Sequence, residues 1–514
     1  MHNPKTTPML KKISLLIPII FIQKLHAQIH IGPGQTYVNI QAASAVITPG
    51  DTVFVHAGSY TKYQGIIGLK GTAAKPIVIM RYQNDVHDIS GCWQFQACEH
   101  ITFRYLNFQA NANANGRVIN MDNNGSCTTQ AKYIIFDSCY FTNVTDAASI
   151  TAVKFGGCDY FQVTNCVFKN IPNCDALDFN VCHHGVISGN RFENCLQAGH
   201  IKGGSSDITM QRNIFINAST LGTMTWELGG DTGPQFYCPN DTFEVRDLRF
   251  YSNLIIGGGR GLALSSARNC EVINNTFYNC NGPTIRLLNT SSLYPKLYDN
   301  KIENNIFAFG ITAYMNASQQ QAGSTYFKNN IYYSLVSPTF KGPYWDSPEM
   351  DSVKEANPLI YTSDTMMFVD TAKHDFHLAV GSPANGTGKT ETQPTSDYFA
   401  YIFKSPRSIG AVEYNSVTGI GVVGENTDHR QEHRQIYIIY PNPANGNINI
   451  ISNDAKQNQY HKTIQIFSVS GELVYSSQTV QVPANISTKE FSTGIYIVRI
   501  AGNDFVEVER LVVE

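Results

Sequence analysis

Between residues 103 and 332 the chain alternates apolar and polar residues in short runs, and the runs close in a common way. Apolar positions lead to Asn or a substitute, then any residue, then an aromatic or aliphatic one. The pattern appears as FRYLNF, FDSCYF, VTNCVF, ISGNRF, MQRNIF, FYSNLI, VINNTF, IENNIF and FKNNIY, with the equivalent positions at Leu106, Cys139, Cys166, Asn190, Asn213, Asn253, Asn275, Asn305 and Asn330. The basic spacing is 22 to 25 residues, stretched to as much as 40 where loops are inserted. Short period-2 strands repeating at that interval predict an all-β solenoid whose coils stack in parallel. The regular leucine template of leucine-rich repeats is absent. Asparagine at the corner suits a residue in left-handed conformation whose amide bonds to the neighbouring coil, so these asparagines are read as structural.

Stacking places residues one period apart about 4.8 Å from each other. With each coil aligned on its corner, Val153, Leu177, Ile201, Trp226, Leu262 and Ile285 are expected inward. Lys154, Asp178, Lys202, Glu227, Ala263 and Arg286 then form one outward column. Lys202 would stand between Asp178 and Glu227, with His200 and Asn180 on flanking columns of the same face. After Glu227 the stretch from Gly229 to Asp247 interrupts the period and forms an inserted loop rich in Gly, Pro and aromatics. It carries Asp231, Phe236, Glu244 and Arg246, and could wall a cleft. Gly203-Gly204 and Gly229-Gly230 beside the charged column would leave room for a ligand backbone, or serve as turn glycines. A solvated ladder of alternating charge would look the same in sequence.

Composition narrows the function. At 514 residues with a formal net charge of -3 and only 15% charged residues, the chain offers no basic patch for nucleic acid. Residues 1–27 read as a secretory signal: Lys11 and Lys12, an apolar run from Ile13 to Ile22 too short to span a bilayer, and cleavage after Ala27. The mature chain is then expected to lack a transmembrane segment and to act as a monomer. All 12 cysteines fall between Cys92 and Cys280. Export permits disulfides, and Cys139/Cys166 and Cys158/Cys182, each about one coil apart, could be bonded or merely stacked. No spacing assembles a nucleophile triad, and GGGRG at Gly257–Gly261 lacks the flanking strand and helix of a nucleotide loop.

PGDTVFVHAGSY (Pro49–Tyr60) and GTAAKPIVIM resemble the opening coils of right-handed parallel β-helix proteins of the pectate-lyase-like superfamily. ANPLI, HDFHLAVGSPANGTG and SIGAVEY (Ser408–Tyr414) resemble their closing segment. The resemblance covers roughly residues 28–415 and implies that fold, with a linker over 416–434. Lys202–Ser205 and Gly229–Thr232 also resemble runs that recur among bacterial β-helix proteins. In residues 435–514, YPNPANGNINI, IQIFSVSGELVY, STGIYIVRI and RLVVE resemble the C-terminal sorting domain of type IX secretion in Bacteroidota, a small immunoglobulin-like β-sandwich. That implies handling by the type IX machinery and a secreted or surface location.

Three functions compete for the outward column. A polysaccharide lyase acting by β-elimination on an acidic glycan would use Lys202 as base and Arg246 or Arg286 as cationic partner. Asp178, Glu227 or Asp231 could hold Ca2+ where one is required. His200, Asn180, Phe236 and Glu244 would then contact substrate. Two acids beside Lys202 oppose a base role unless a metal occupies them. An inverting hydrolase would instead pair Asp178 with Glu227, two coils or about 9.6 Å apart. A non-catalytic glycan-binding surface protein is the third reading.

Overall fold

In this computed structural model the described residues are 28–414 and 437–513, apart from short segments: 84, 111–115, 146–150, 231–241 except 232 and 238, 289–296, 318–323, 347–352, 441–445 except 444, 453–461, 469–472, 482 and 502–505. The signal segment and the linker therefore lie outside the described residues, as do Asp231 and Phe236.

Each coil of the first unit turns through three parallel faces. The first face includes Glu99–Arg104, Ala131–Asp137, His183–Ser188 and Ser205–Gln211. The corner asparagines follow it. The second face then includes Tyr140–Val144, Ile214–Ile216 and Leu254–Ile256. The third includes Thr151–Gly156, Met224–Leu228, Arg260–Ser265 and Ile285–Leu288. In two coils the second and third faces run on as single bent strands, Val167–Asn180 and Arg191–Lys202.

Inward side chains stack on their own kind. Phe108, Phe141, Phe168, Phe192 and Phe215 form a column with ring centroids 4.7–4.9 Å apart. That is the strand spacing itself, so each ring covers its neighbour. The period-2 pattern breaks at Leu254–Ile256, where all three residues are buried. A closing segment packs Met367, Phe368, Phe376, Ile409 and Val412 over the outside of the second face. In these later coils the second face is apolar on both sides, whereas its earlier coils carry outward Lys169, Arg191 and Glu193.

The corner residues form a buried amide ladder. Asn275 Oδ1 accepts from the backbone N–H of Asn253 at 2.9 Å and from its Nδ2 at 3.0 Å, while Asn275 Nδ2 donates to Phe250 O at 2.8 Å and Asn305 Oδ1 at 3.0 Å. The left-handed residue is not the ladder asparagine, as expected from sequence, but the one before it: Asn165, Arg212, Ser252, Asn274, Asn304 and Asn329, with φ between 51° and 55°. That single turn swings the next side chain inward, where its amide meets the neighbouring coil. Cys139 and Cys166 hold ladder positions as free thiols, each donating to a carbonyl, Phe103 O and Phe136 O. Cys158 and Cys182 are free and buried as well. The one disulfide among the described residues joins Cys127 to Cys238, a pair the sequence reading did not single out.

His87 gives the first unit a pH dependence. Its ring is buried, accepts from Asn107 N–H through Nε2 at 3.0 Å, and is pushed down by burial to about 4. Between an unfolded value of 6.5 and about 4 the unfolded chain binds the proton and the folded one does not. Stability is therefore complete above pH 6.5 and falls on acidification by up to about 3 kcal/mol. Asp397, pushed up by burial to about 6, acts in the opposite sense. The difference between the native protein and His87→Gln isolates the histidine: denaturation midpoints of the two should diverge between pH 6.5 and 4. Parallel curves would remove His87 from the account.

The second unit is antiparallel. One sheet pairs Tyr437–Tyr440, Asn447–Ser452 and Ala484–Ser487, and the other pairs Leu473–Val480, Lys462–Ser468, Gly494–Ala501 and Val506–Val513. Ile448, Ile450, Ile464, Ile466, Val498 and Ile500 fill one core between them. This is a small sandwich. Among the described residues no helix is long and apolar enough to cross a membrane.

Candidate functional site

The charged column lies on the third face, in a register that differs from the sequence alignment. Lys154 pairs with Asp178, Asp178 with His200, His200 with Glu227, Glu227 with Ala263 and Ala263 with Arg286. Lys202 is shifted by two residues into the adjacent outward column, opposite Asn180. The cause is a bulge: Ile171 pairs with Cys195, 24 residues on, whereas Asp175 pairs with Gln197, only 22 on. A shift of two keeps the same face, so Lys202 still points outward.

Asp178 organises the group. It is 5% exposed and receives Lys154 Nζ in close contact on Oδ2 and His200 Nε2 at 2.7 Å on Oδ1. Lys202 Nζ stands further off, 3.7 Å from Oδ1, with its side chain 25% exposed. Burial opposes the charge of Asp178, but the His200 hydrogen bond and the charges of His200, Lys154 and Lys202 outweigh it and hold the carboxyl well below the usual range. His200 Nδ1 faces Asp175 at 3.6 Å, so the imidazole is pinned between two carboxylates. Burial pushes the Asp175 carboxyl up, and Asp178 and Glu227 add to the rise against His200 and Lys202. Lys154, which the sequence placed in the column without a role, and Asp175, which it passed over, both belong to this site. The acidic signal in NCDALDFN was visible, but the bulge before it hid which acid faced which coil.

Other expected site residues lie apart. Arg246 is on the first face, paired with Ser206 and Arg268 and bonded to Asp247 at 2.8 Å, so it is not the cationic partner of Lys202. Arg286 shares the column but stands three coils beyond His200, about 14 Å away. It faces Glu227, Arg260 and Tyr314. Glu244 is wholly buried, accepting from Gly203 N–H at 2.8 Å and Thr232 N–H at 2.6 Å. It fastens the inserted loop to the corner after Lys202 and presents nothing to a substrate. Asn180 is turned into that corner too, since a Cβ on Gly203 would sit 1.7 Å from its Oδ1.

The glycines serve the scaffold. Gly203, at φ 71°, admits the Asn180 side chain, Gly229 the Ser265 carbonyl, and Gly230 the aliphatic stem of Lys202. They make close coil contacts rather than space for a ligand. A calcium set does not form around Asp178 either, because each of its oxygens faces a cationic or imidazole donor. Among the described residues no three or more His, Cys, Asp or Glu side chains are grouped to hold a metal ion.

Residues 438–514 match the family model described as "Secretion system C-terminal sorting domain". The chain ends in a sorting domain. It therefore carries the address for export through the type IX machinery to the cell surface or the medium. No curated protein matches the sequence significantly. Solved structures similar to this chain include a xylose complex of XylC (9% identity, 75% of this chain and 98% of that one, TM-score 0.47) and a PL6-family polysaccharide lyase from Pseudopedobacter saltans (14%, 72% and 96%, 0.32). A polygalacturonase from Erwinia carotovora ssp. carotovora is another (12%, 66% and 95%, 0.33). At such identities and scores these likenesses carry no argument about activity, and the β-solenoid stands on the coil register itself.

Proposed function

We propose that this exported protein cleaves an acidic extracellular polysaccharide by β-elimination, with Lys202 as the group that takes the proton. The supporting observation is that two ammonium groups, Lys154 and Lys202, converge on one carboxylate, Asp178. Lys154 and His200 already fill both Asp178 oxygens at close range, so Lys202, standing off at 3.7 Å and partly exposed, is the amine left to act on the carbon beside a uronate carboxylate. In the step, neutral Lys202 takes the proton from C5. The electron pair passes into the carboxylate-stabilised enolate and returns to form the C4–C5 double bond. The glycosidic oxygen leaves from C4 and takes a proton from the new ammonium or from water. Lys154, Asp178 and His200 position that amine, and calcium enters no step.

Asp178 suits the inverting-hydrolase role poorly, because a carboxylate held deprotonated with both oxygens engaged is neither acid nor ready base. A hydrolase on this face would take Asp175, the carboxyl pushed up by burial, as its acid. Incubation of the full chain with alginate, polygalacturonate and chondroitin sulfate separates the readings. Elimination yields an unsaturated uronate that absorbs in the ultraviolet, hydrolysis yields new reducing ends without it, and a binding protein yields neither. New reducing ends without ultraviolet absorbance, or no product from any of the three, would overturn the proposal.

A further inference from the structure

The first face carries a second charged cluster, round the corner from the Asp178 group. Arg246, Asp247, Arg268, Asn269, Tyr298 and Asp299 line an open cleft of about 400 Å³, within the span of ligand pockets. Arg246 and Arg268 are register partners on adjacent parallel strands, which sets their backbones one coil apart. Their surroundings differ. Arg246 donates to Asp247 Oδ2 at 2.8 Å, and Asn269 Nδ2 donates to Asp247 Oδ1 at 2.7 Å, so that carboxylate is already engaged on both oxygens. The Arg268 guanidinium instead lies over two rings, 5.6 Å from the centroid of Phe243 and 5.9 Å from that of Tyr298. It forms no ion pair or side-chain hydrogen bond with any described residue, and it is exposed.

We infer that this cleft binds one acidic sugar residue of a glycan, with Arg268 as the carboxylate- or sulfate-binding group. The two rings fix the plane of the guanidinium without using its N–H donors, which leaves the fork free for a bidentate anion. Tyr298 is 54% exposed and borders the same cleft, giving an apolar surface for a sugar ring. Asn269 and the Asp299 carboxylate border it as well and can meet hydroxyls. A neutral glycan would leave Arg268 desolvated and unpaired, so the cleft selects for charge. The cleft lies on a different face from Lys202, so it is a holding site for the polymer and not part of the bond-breaking group.

The inference borrows from the proposed function only the acidic nature of the glycan, and the test keeps the two apart. Native protein, Lys202→Ala, Arg268→Ala and Tyr298→Phe are run in native gels containing alginate, polygalacturonate or chondroitin sulfate, and in a gel containing neutral xylan. Native protein should be retarded in at least one acidic gel and not in xylan, with the retardation falling at higher salt. Arg268→Ala should lose at least fivefold in apparent affinity while keeping the native unfolding temperature. Tyr298→Phe should bind as the native protein does, because the ring is retained. Retardation of Arg268→Ala equal to native, or no retardation of the native chain in any acidic gel, overturns the inference. Loss of elimination activity in Lys202→Ala leaves it untouched.

Discussion

Lys202→Ala is expected to lower turnover of the acidic polysaccharide by about 10²–10⁴-fold, the usual worth of a positioned proton acceptor. The fold should tolerate the change within about 0.5 kcal/mol, since the side chain is partly exposed and its Nζ stands 3.7 Å from Asp178 Oδ1. Loss of activity alone would not separate a base from a charge that holds substrate. Lys202→Arg makes that separation: guanidinium keeps the positive charge but does not deprotonate in proteins, so it can hold a carboxylate and cannot take a proton. A base role predicts that Arg is as inactive as Ala. Retained activity in Lys202→Arg would assign the residue to binding and send the search for the base to His200. Lys154→Ala should behave differently from both, because it strips Asp178, only 5% exposed, of its closest cation and costs stability as well as rate.

How far the site was legible in the sequence turns on two residues of slippage. The corner motif fixes each coil at one point, and any residue gained or lost between that point and the third face moves everything beyond it. Two residues are absorbed between Ile171 and Asp175, so an alignment anchored on Cys166 and Asn190 sets Lys202 where His200 belongs. The alternation of inward and outward survives, because two is the strand period. That is why Ile201 is buried and Lys202 outward, although their columns differ from those expected. One clue was available. Gly199 occupies the inward column between Leu177 and Trp226, where a Cβ would lie 2.6 Å from Leu177 O and 3.0 Å from Trp226 Cη2. A glycine paired with an oversized neighbour conserves volume across two coils, and a residue-by-residue count of apolar positions does not register it.

The fold was more legible than the site because it rests on many repeats of one signal. Nine corner motifs outvote any one irregular coil, and the stack of phenylalanines two residues beyond the corner repeats the same message in a second residue type. Pairings set by inserted loops have no such redundancy. Cys127 and Cys238 are 111 residues apart and both lie off the repeat, so nothing periodic pointed from one to the other. The same holds for Glu244, whose role depends on the path of a loop back to the Gly203 and Thr232 amides.

Asn275→Ala should cost the solenoid about 2–4 kcal/mol, as a buried backbone N–H left without its acceptor costs roughly 1–3 kcal/mol and the lost side-chain bonds of the ladder add about 1 kcal/mol. That group is the Asn253 N–H, which loses its acceptor at 2.9 Å, while the Phe250 carbonyl, still in the strand ladder, loses the side-chain donor at 2.8 Å. Asn305 Oδ1 also loses the Asn275 Nδ2 donor. Water cannot replace them, because Asn253, Asn275 and Asn305 are each 0% exposed. In a solenoid each coil is held by its neighbours, so the loss falls on the junction between the coils ending at Asn253 and Asn305. Guanidinium unfolding should then broaden or split in two, and the Asn253 amide should exchange far faster than in the native protein. Cys166→Asn is the complementary change. The Cys139 N–H now meets Cys166 Sγ at 3.4 Å and the thiol reaches Phe136 O at 3.7 Å, so an amide there would replace weak contacts with the ladder's own. It should raise the unfolding free energy by about 1 kcal/mol. An Asn275→Ala protein that unfolds like the native one would show that the ladder follows from the stacking of the phenylalanines and does not hold the coils in register.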